Sequence, residues 1–287
     1  GRDLITAAPS ELTIGNLVRR VLFLIREEHS NQVKVDAGAA EPAEPCLWHQ
    51  RGVHALFLLL LLDMSRYFPG LKAAVLGAIN ELYNEIDNSA VICRRAQEHI
   101  HAGECILTYG YSKIVEQFLK AAGAKRKFQL VVAESNPSLE GHKLASSLCK
   151  VPSIGVTLIP DSNIYALMSR VNKVILSPNA VTADGGAICN SGMLMVCIAA
   201  KEFSVPVVCV TGAFTLTPLF AHSQSAVLNQ LLSPADALPY NANINPNNVE
   251  VSHPAFDYVP PDLISLYVTN DGNQLPSYVF RQLSEYY

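Results

Sequence analysis

Near the start of the chain, apolar residues recur every three or four positions. This spacing predicts one amphipathic helix from Thr13 to Glu28, with Thr13 as a candidate cap. Two or three further helices are predicted between about 54 and 102, whereas an Ala-, Pro- and Glu-rich stretch predicts a flexible loop at about 30–55. The pattern therefore predicts a helical N-terminal domain over residues 1–102.

From residue 103 onward, β-type apolar runs alternate with helical patterns. The runs are CILTY, FQLVVAE, IGVTLI, KVILS and VPVVCVT. Such alternation predicts a parallel sheet with covering helices, completed by a later strand at 263–269 and a last helix at about 277–286. We therefore predict an α/β fold, in which the helical N-terminal domain is followed by a Rossmann-like parallel-sheet domain over 103–287.

The composition adds an expectation about the surface. Of the 287 residues, 49% are hydrophobic and only 16% are charged, against about 25% charged residues in an average soluble domain. We expect the excess apolar surface to lie in subunit contacts. The longest apolar run, residues 55–62, ends at Asp63 and is far shorter than the roughly 20 residues that cross a bilayer, so it predicts a buried helix and no membrane association.

Charge and cysteine usage narrow the functional classes. The net charge is -4, so the basic surface of a nucleic-acid-binding protein is not expected. The short basic cluster at Arg94 and Arg95 is only a weak candidate for partner binding. Seven cysteines, an odd number without a CxxC pair, predict reduced core thiols in a cytosolic protein.

The first predicted strand ends in a turn that could form a binding site. Gly110 can adopt backbone angles that bulkier residues resist, and Ser112 can cap the helix that follows. The free amides at such a helix start suit an anionic ligand. The alternative is that strand, glycine turn and serine cap only connect two packed elements.

Ligands bind open parallel sheets beyond the carboxyl ends of the strands, so the other candidates follow strand ends. They are Glu134, Asp161, Asn179 and Asp184. No GxGxxG or GxxxxGK motif occurs at these positions, which argues against a dinucleotide cofactor and a P-loop. His99 and His101 are two residues apart near a predicted helix end, where surface or capping roles are favoured over a metal pair, and no cofactor is predicted.

A series of longer segments, in order along the chain, resembles one known family. The segments are ILTYGYS, VVAESNPSLEGHKLA, VTLIPDSNIYALMSRVNKVIL, AAKEFSVPVV and FDYVPPDLISLYVTNDGNQLPSY. They resemble the regulatory subunits of eukaryotic translation initiation factor 2B and their relatives, the methylthioribose-1-phosphate and ribose-1,5-bisphosphate isomerases. The resemblance covers nearly all of residues 88–287.

The resemblance implies that the catalytic pair of the isomerases is missing. Those enzymes use a cysteine in the first strand-end turn and an aspartate after the fourth strand, where this chain has Gly110 and Asn179. Loss of such a group typically lowers a rate by about 10² to 10⁴. Asp184 and Cys189 are possible replacements, but a turn aspartate and a buried thiol are the favoured interpretations. The strand-end residues therefore predict a degenerate ligand pocket.

The implied function is that of a noncatalytic regulatory subunit in the guanine nucleotide exchange complex for initiation factor 2. Such a subunit would help to bind the alpha subunit of that factor and to sense its phosphorylation. Its expected partners are a delta-type regulatory subunit, as a heterodimer, and the alpha, gamma and epsilon subunits of the complex. Two alternatives remain, a sugar-phosphate isomerase with relocated catalytic residues and a regulatory module that binds a sugar phosphate or nucleotide.

Overall fold

The computed structural model describes residues 3, 11–36, 70–87, 89–221, 230–239 and 249–286. Its first long helix, α1, spans Leu12–Asp36 and is longer than predicted. The predicted loop at about 30–55 is therefore wrong for residues 30–36, because no glycine or proline interrupts the helix after Gly15. The rest of that loop, and the apolar run at 55–62, lie outside the described residues.

Eight further helices follow in the described residues. They are α2 Leu71–Asp87, α3 Ser89–Arg94, α4 Ala96–His99, α5 Lys113–Gly123, α6 Glu140–Leu148, α7 Ile164–Met168, α8 Met193–Glu202 and α9 Val279–Tyr286. Short 3-10 helices occupy Asp161–Asn163, Ala213–Thr215, Pro234–Asp236, Pro261–Leu263 and Pro276–Tyr278. Within the described part of the chain, no helix is long and apolar enough to cross a membrane.

In the described part of the chain, ten strands form two sheets. They are β1 Cys105–Tyr109, β2 Phe128–Ala133, β3 Ile154–Ile159, β4 Lys173–Leu176, β5 Ala180–Val181, β6 Ala187–Asn190, β7 Val207–Val210, β8 Phe256–Val259, β9 Leu266–Val268 and β10 Asn273–Gln274. The main sheet has the order β10-β9-β7-β4-β1-β2-β3, and all its neighbouring strands are parallel except β9 and β10. This topology confirms the predicted Rossmann-like fold class.

The central strands are largely apolar because both faces of the sheet are covered. In β1, Ile106 lies in one core cluster and Leu107 in the other. In β4, Val174 and Ile175 divide in the same way, as the two-residue period of a strand requires. Helices α5 and α6 cover one face, whereas α7, α8 and α9 cover the other.

The last helical residues before the sheet domain pack into its core. Ile92, Ala96 and Ile100 are at most 3% exposed and share a cluster with side chains of β1, β2 and α5. Helix α1, by contrast, packs on α2 and on the 3-10 helix at Ala213–Thr215. The domain boundary at 102/103 stays a prediction, but α3 and α4 belong to the packing of the sheet domain.

The small sheet, with order β5-β6-β8, was not predicted. All its pairings are antiparallel, and Ala180, Ile188 and Tyr258 form its buried cluster. Its first strand has only two residues, and its third is contributed by a segment more than sixty residues downstream. Local periodicity cannot reveal such a sheet, because its register is set by long-range pairing.

The start of α6 packs so closely on the end of β2 that only glycine fits at residue 141. A Cβ there would lie 1.9 Å from the carbonyl oxygen of Ala133. We expect Gly141→Ala to lower the free energy of unfolding by about 2–4 kcal/mol, because backbone must move to relieve the clash. Urea denaturation measures this change.

The matched control is Gly155→Ala on the outer strand β3, where the nearest atoms to a new Cβ are 3.9 Å away. This change should leave the free energy of unfolding unaltered or raise it by up to about 1 kcal/mol. Equal effects of the two substitutions would contradict the close approach at Gly141.

Candidate functional site

The turn after β1 holds the first predicted site residue, Gly110. This glycine is buried and has a φ of +75°, in the left-handed region. Its N–H donates a hydrogen bond of 2.7 Å to Ser135 Oγ. Ser112 occupies the N-cap position of α5, but its side chain makes no capping hydrogen bond; only its backbone carbonyl accepts from Glu116 N, at 2.9 Å.

The ends of β2 and β3 are joined to this turn through Asp161. The amide of Ser135 donates to Asp161 Oδ1 at 3.0 Å, and the amide of Asn136 donates to Asp161 Oδ2 at 2.7 Å. Together with the Gly110 bond, these contacts tie the carboxyl ends of β1, β2 and β3 into one strand-end network of Gly110, Ser135, Asn136 and Asp161.

Sequence reasoning missed Ser135, which is the central residue of this network. It is 4% exposed and has a φ of +58°, which is uncommon for a residue other than glycine. The Asn-Pro pair that follows signals a turn, but it does not indicate that the serine turns inward.

The carboxylate of Glu134 has a different neighbour. Its Oε2 lies 4.0 Å from Nε2 of His142 on α6, and its backbone carbonyl accepts the amide of Gly141 at 3.1 Å. Glu134 therefore links the end of β2 to α6, next to the strand-end network in the chain.

Asn179 and Asp184 lie in the small sheet. The amide of Asn179 donates to the carbonyl of Ile188 at 2.8 Å. Asp184 accepts hydrogen bonds from Thr182 Oγ1, from Gly186 N at 3.0 Å and from Tyr258 OH at 2.6 Å. These contacts show Asp184 as a turn residue between β5 and β6, as the favoured interpretation had it.

The start of α8 is held against the end of β1 by close contacts. Gly192 has a φ of +98°, and a Cβ on it would lie 2.1 Å from the Tyr109 hydroxyl oxygen. Its amide donates to Asp257 Oδ2 at 2.7 Å, and Tyr109 OH donates to the carbonyl of Ser191 at 3.2 Å. Asp257 thus has a structural role, because it holds the amide that begins α8.

Burial and three nearby carboxylates raise the pKa of Tyr109. Burial is the main cause that raises the pKa of Tyr109 to about 12, and the charges of Asp161, Asp257 and Glu140 raise it further. Three negative groups at one strand-end pocket oppose the binding of a phosphate there, because like charges repel most strongly where water is partly excluded.

The buried thiols are unsuited to nucleophilic chemistry. Cys189 is 1% exposed, and burial raises its pKa well above the ordinary value. Burial likewise raises the pKa of Cys209. Because the thiolate is the reactive form, Cys189 is a core residue in this structure.

The histidines and arginines flagged in the sequence have separate partners. His99 Nε2 lies 3.0 Å from Asn273 Oδ1, and His101 Nδ1 lies 3.2 Å from an Arg126 nitrogen. Arg95 reaches the carbonyl of Asn270 at 3.5 Å, whereas Arg94 is exposed at the end of α3. Within the described residues, no group of three or more His, Cys, Asp or Glu side chains could hold a metal ion.

A groove of about 520 Å³ runs between α7 and α8, beside the strand-end network. Its apolar lining includes three exposed side chains, Tyr165 at 57%, Met195 at 47% and Ile198 at 55%. The lining also includes Asp161 and Asp257. The charges of these two carboxylates also raise the pKa of Tyr109.

These features define a class of protein. It is an α/β protein with an N-terminal helical region and a Rossmann-like sheet, whose strand-end amides and carboxylates are bonded to one another. The comparisons with known proteins agree with this class: the chain belongs to the initiation factor 2 subunit family, whose model matches residues 1–276.

Two curated relatives and one solved structure illustrate the relationship. Translation initiation factor eIF2B subunit beta from Dictyostelium discoideum is 41% identical over 320 aligned residues, covering 100% of this chain and 82% of the relative. The subunit of the same name from Schizosaccharomyces pombe is 32% identical and covers 100% and 83%. The tetrameric eIF2B-beta2-delta2 complex from C. thermophilum contains a chain with a TM-score of 0.71 and 28% identity, covering 100% of this chain and 77% of that one.

The relatives also agree with a finer resemblance in the sequence. Among the alpha, beta and delta regulatory types, residues 13–29 and 168–175 resemble the beta type most. Both curated relatives are beta subunits, which confirms this resemblance.

The hydrogen bonds to Asp184 predict a pH-dependent contribution to stability. Burial of this carboxyl raises its pKa, but the hydrogen bonds from Thr182, Tyr258 and Gly186 outweigh burial and lower the pKa overall. Asp184→Asn should therefore lower the free energy of unfolding by about 1–2 kcal/mol at pH 7, discounted for partial exposure. The difference from wild type should persist above the unfolded pKa of about 3.9 and disappear as the pH falls through the lower folded value.

Urea denaturation of both proteins at several pH values between 7 and 3 measures this dependence. Asp236→Asn is the control, because Asp236 is an exposed residue of a 3-10 helix and should have little effect at any pH. A difference for Asp184→Asn that stays constant down to pH 3 would contradict the lowered pKa.

Proposed function

We propose that this chain is a noncatalytic, beta-type regulatory subunit of the guanine nucleotide exchange complex for translation initiation factor 2. The observation that carries the proposal is the similarity to eIF2B beta subunits, at up to 41% identity, over the whole of the chain. The likeness to a chain of a beta2-delta2 tetramer supports it at the level of structure.

The outer face of α8 supports pairing with a delta-type subunit. The sequence of α8, MLMVCIAAKE, is apolar on both sides of the helix, a pattern typical of a helix that is covered all round. Its inner side chains, such as Val196 and Ala200, are buried against the main sheet. Its outer side chains Met195 and Ile198 are about half exposed and require a second cover, which the partner subunit supplies.

The charge around this surface indicates what the partner presents. Asp161, Glu202 and Asp257 line the α7–α8 groove, so a complementary surface combines apolar side chains with basic groups at its rim. The apolar centre supplies affinity, whereas the acidic rim favours a partner of the correct charge.

By resemblance, the same complex contains alpha, gamma and epsilon subunits, and the epsilon subunit performs nucleotide exchange. This chain then helps to position the alpha subunit of initiation factor 2 and to sense its phosphorylation, with the helical N-terminal region as the contact surface. Arg94, which is exposed at the end of α3, and the neighbouring Arg95 are weak candidates for that contact. The complex acts in the cytosol.

The enzymatic alternative lacks groups for the chemistry. At the positions that the resemblance assigns to the isomerase cysteine and aspartate, this chain has Gly110 and Asn179. The candidate replacements have structural roles, since Asp184 closes a turn and Cys189 is buried in the core. A regulatory role without catalysis is therefore the better account of the pocket.

The folded chain should convert neither methylthioribose 1-phosphate nor ribose 1,5-bisphosphate above the uncatalysed rate, because Gly110 and Asn179 stand at the positions that the resemblance assigns to the catalytic cysteine and aspartate. Sugar-phosphate turnover assays, with an active isomerase of the family as the positive control, measure this. Turnover that is lost in Asp184→Ala or Cys189→Ala would overturn the noncatalytic assignment.

Coexpression with a delta-type subunit from the same source should yield a stable heterodimer, or a tetramer of two such pairs, by native mass spectrometry. Within that assembly, Ile198→Glu should raise the Kd at least about 30-fold, close to 2 kcal/mol, because it introduces a charge into an apolar contact. Leu231→Glu is the control, since Leu231 is 65% exposed and lies outside the groove.

Two outcomes would contradict the proposal in different ways. A wild-type homodimer that ignores the delta-type chain would favour the isomerase relatives over the regulatory subunits. A heterodimer that tolerates Ile198→Glu as well as Leu231→Glu would retain the pairing but exclude α8 as its surface.

A further inference from the structure

The loop after β2 has the form of an anion-binding nest. The consecutive amides of Ser135 and Asn136 converge on one carboxylate, with distances of 3.0 and 2.7 Å to its two oxygens. Ser135 has a left-handed φ of +58°, and successive amides around a left-handed residue form concave sites that bind phosphate and carboxylate groups.

The anion in this nest belongs to the chain itself. Asp161 follows β3 and reaches across to the end of β2, so that both of its oxygens are engaged. A free oxyanion would need the same two donors. The third donor at this site, the Gly110 amide, is bonded to Ser135 Oγ and is not available either.

We propose that Asp161 acts as a built-in ligand that closes the strand-end pocket to phosphate-bearing small molecules. Removal of its carboxylate converts the Ser135–Asn136 nest into a site for a free oxyanion. The inference rests on the proposed noncatalytic function and deepens it, because it names the group that would keep small phosphates out of this subunit.

Burial explains why the vacated nest would take an anion. Ser135 is 4% exposed, and an unpaired amide at such a position is costly. Asn136 is exposed and Asp161 is partly exposed, so an ion from solvent can reach the nest. The change from Asp161 to alanine also removes one of the three carboxylates near Tyr109, which lowers the repulsion that an incoming phosphate meets.

The test is a titration of the full chain with inorganic phosphate, with potassium chloride added to constant ionic strength. The Tm of Asp161→Ala should rise by about 2–3 °C at a phosphate concentration ten times its Kd. In ¹⁵N-labelled protein, the Ser135 and Asn136 amide resonances should shift with saturation in this variant. In the wild type, added phosphate should change neither the Tm nor the Ser135 and Asn136 amide resonances.

Asp262→Ala is the matched control. Asp262, like Asp161, lies in a 3-10 helix that follows a proline. It reports the general stabilising effect of phosphate on the chain. If Asp161→Ala does not fold, Asp161→Asn provides the same test, because one amide oxygen can satisfy only one of the two donors and phosphate should shift the other amide.

Saturable shifts of these two amides in the wild type would overturn the proposal, because the nest would then be open. The absence of any phosphate response in the Asp161 variants beyond that of Asp262→Ala would also overturn it, since the loop would then be only a structural turn. The titration needs no partner subunit. A failure of the nest is therefore distinguishable from a failure of pairing, which tests the proposed function.

Discussion

The parallel sheet must be covered on both faces, and the rest of the structure depends on this constraint. Its central strands are apolar at successive positions, as Ile106 and Leu107 illustrate with 0% exposure on opposite faces. Each face therefore needs a layer of helices. On one face α5 and α6 complete the cover. On the other, α8 buries its inner side, whereas its outer side carries the apolar residues Met195 and Ile198, which are about half exposed and form the surface proposed for pairing.

The same topology brings backbone donors together at the carboxyl edge of the sheet. Where a catalytic site would leave such donors for a substrate, this chain pairs them with its own side chains, namely Ser135 for the Gly110 amide and Asp161 for two loop amides. A satisfied polar network holds strand ends in fixed positions. This edge of the sheet therefore holds the ends of β1, β2 and β3 together instead of offering its donors to a substrate.

The elements that the sequence predicted are those defined by local patterns. β1 and β3 agree residue for residue with apolar runs. In β1 the run reflects the burial of nearly every residue, whereas β3 is an edge strand whose middle residues are largely exposed. The small sheet was not predicted because β5 has only two residues and because β8 pairs with β6 over a long range. Among site residues, the turn position of Asp184 could be predicted from the glycines that follow it. The role of Ser135 could not, because it depends on the Gly110 amide and the Asp161 side chain, which only the fold brings near.

Two carboxylates connect the strand-end pocket to the surface proposed for assembly. Asp161 and Asp257 both line the α7–α8 groove, while the first holds the β2 loop and the second holds the amide that begins α8. Both also add negative charge beside Tyr109. Asp161 thus positions the β2 loop and Asp257 positions the start of α8, and both carry charge that opposes a phosphate beside Tyr109. In the proposed assembly, replacing Asp257 to admit a phosphate would also remove the hydrogen bond that fixes the start of α8, so the closed pocket and the proposed partner surface depend on the same residue.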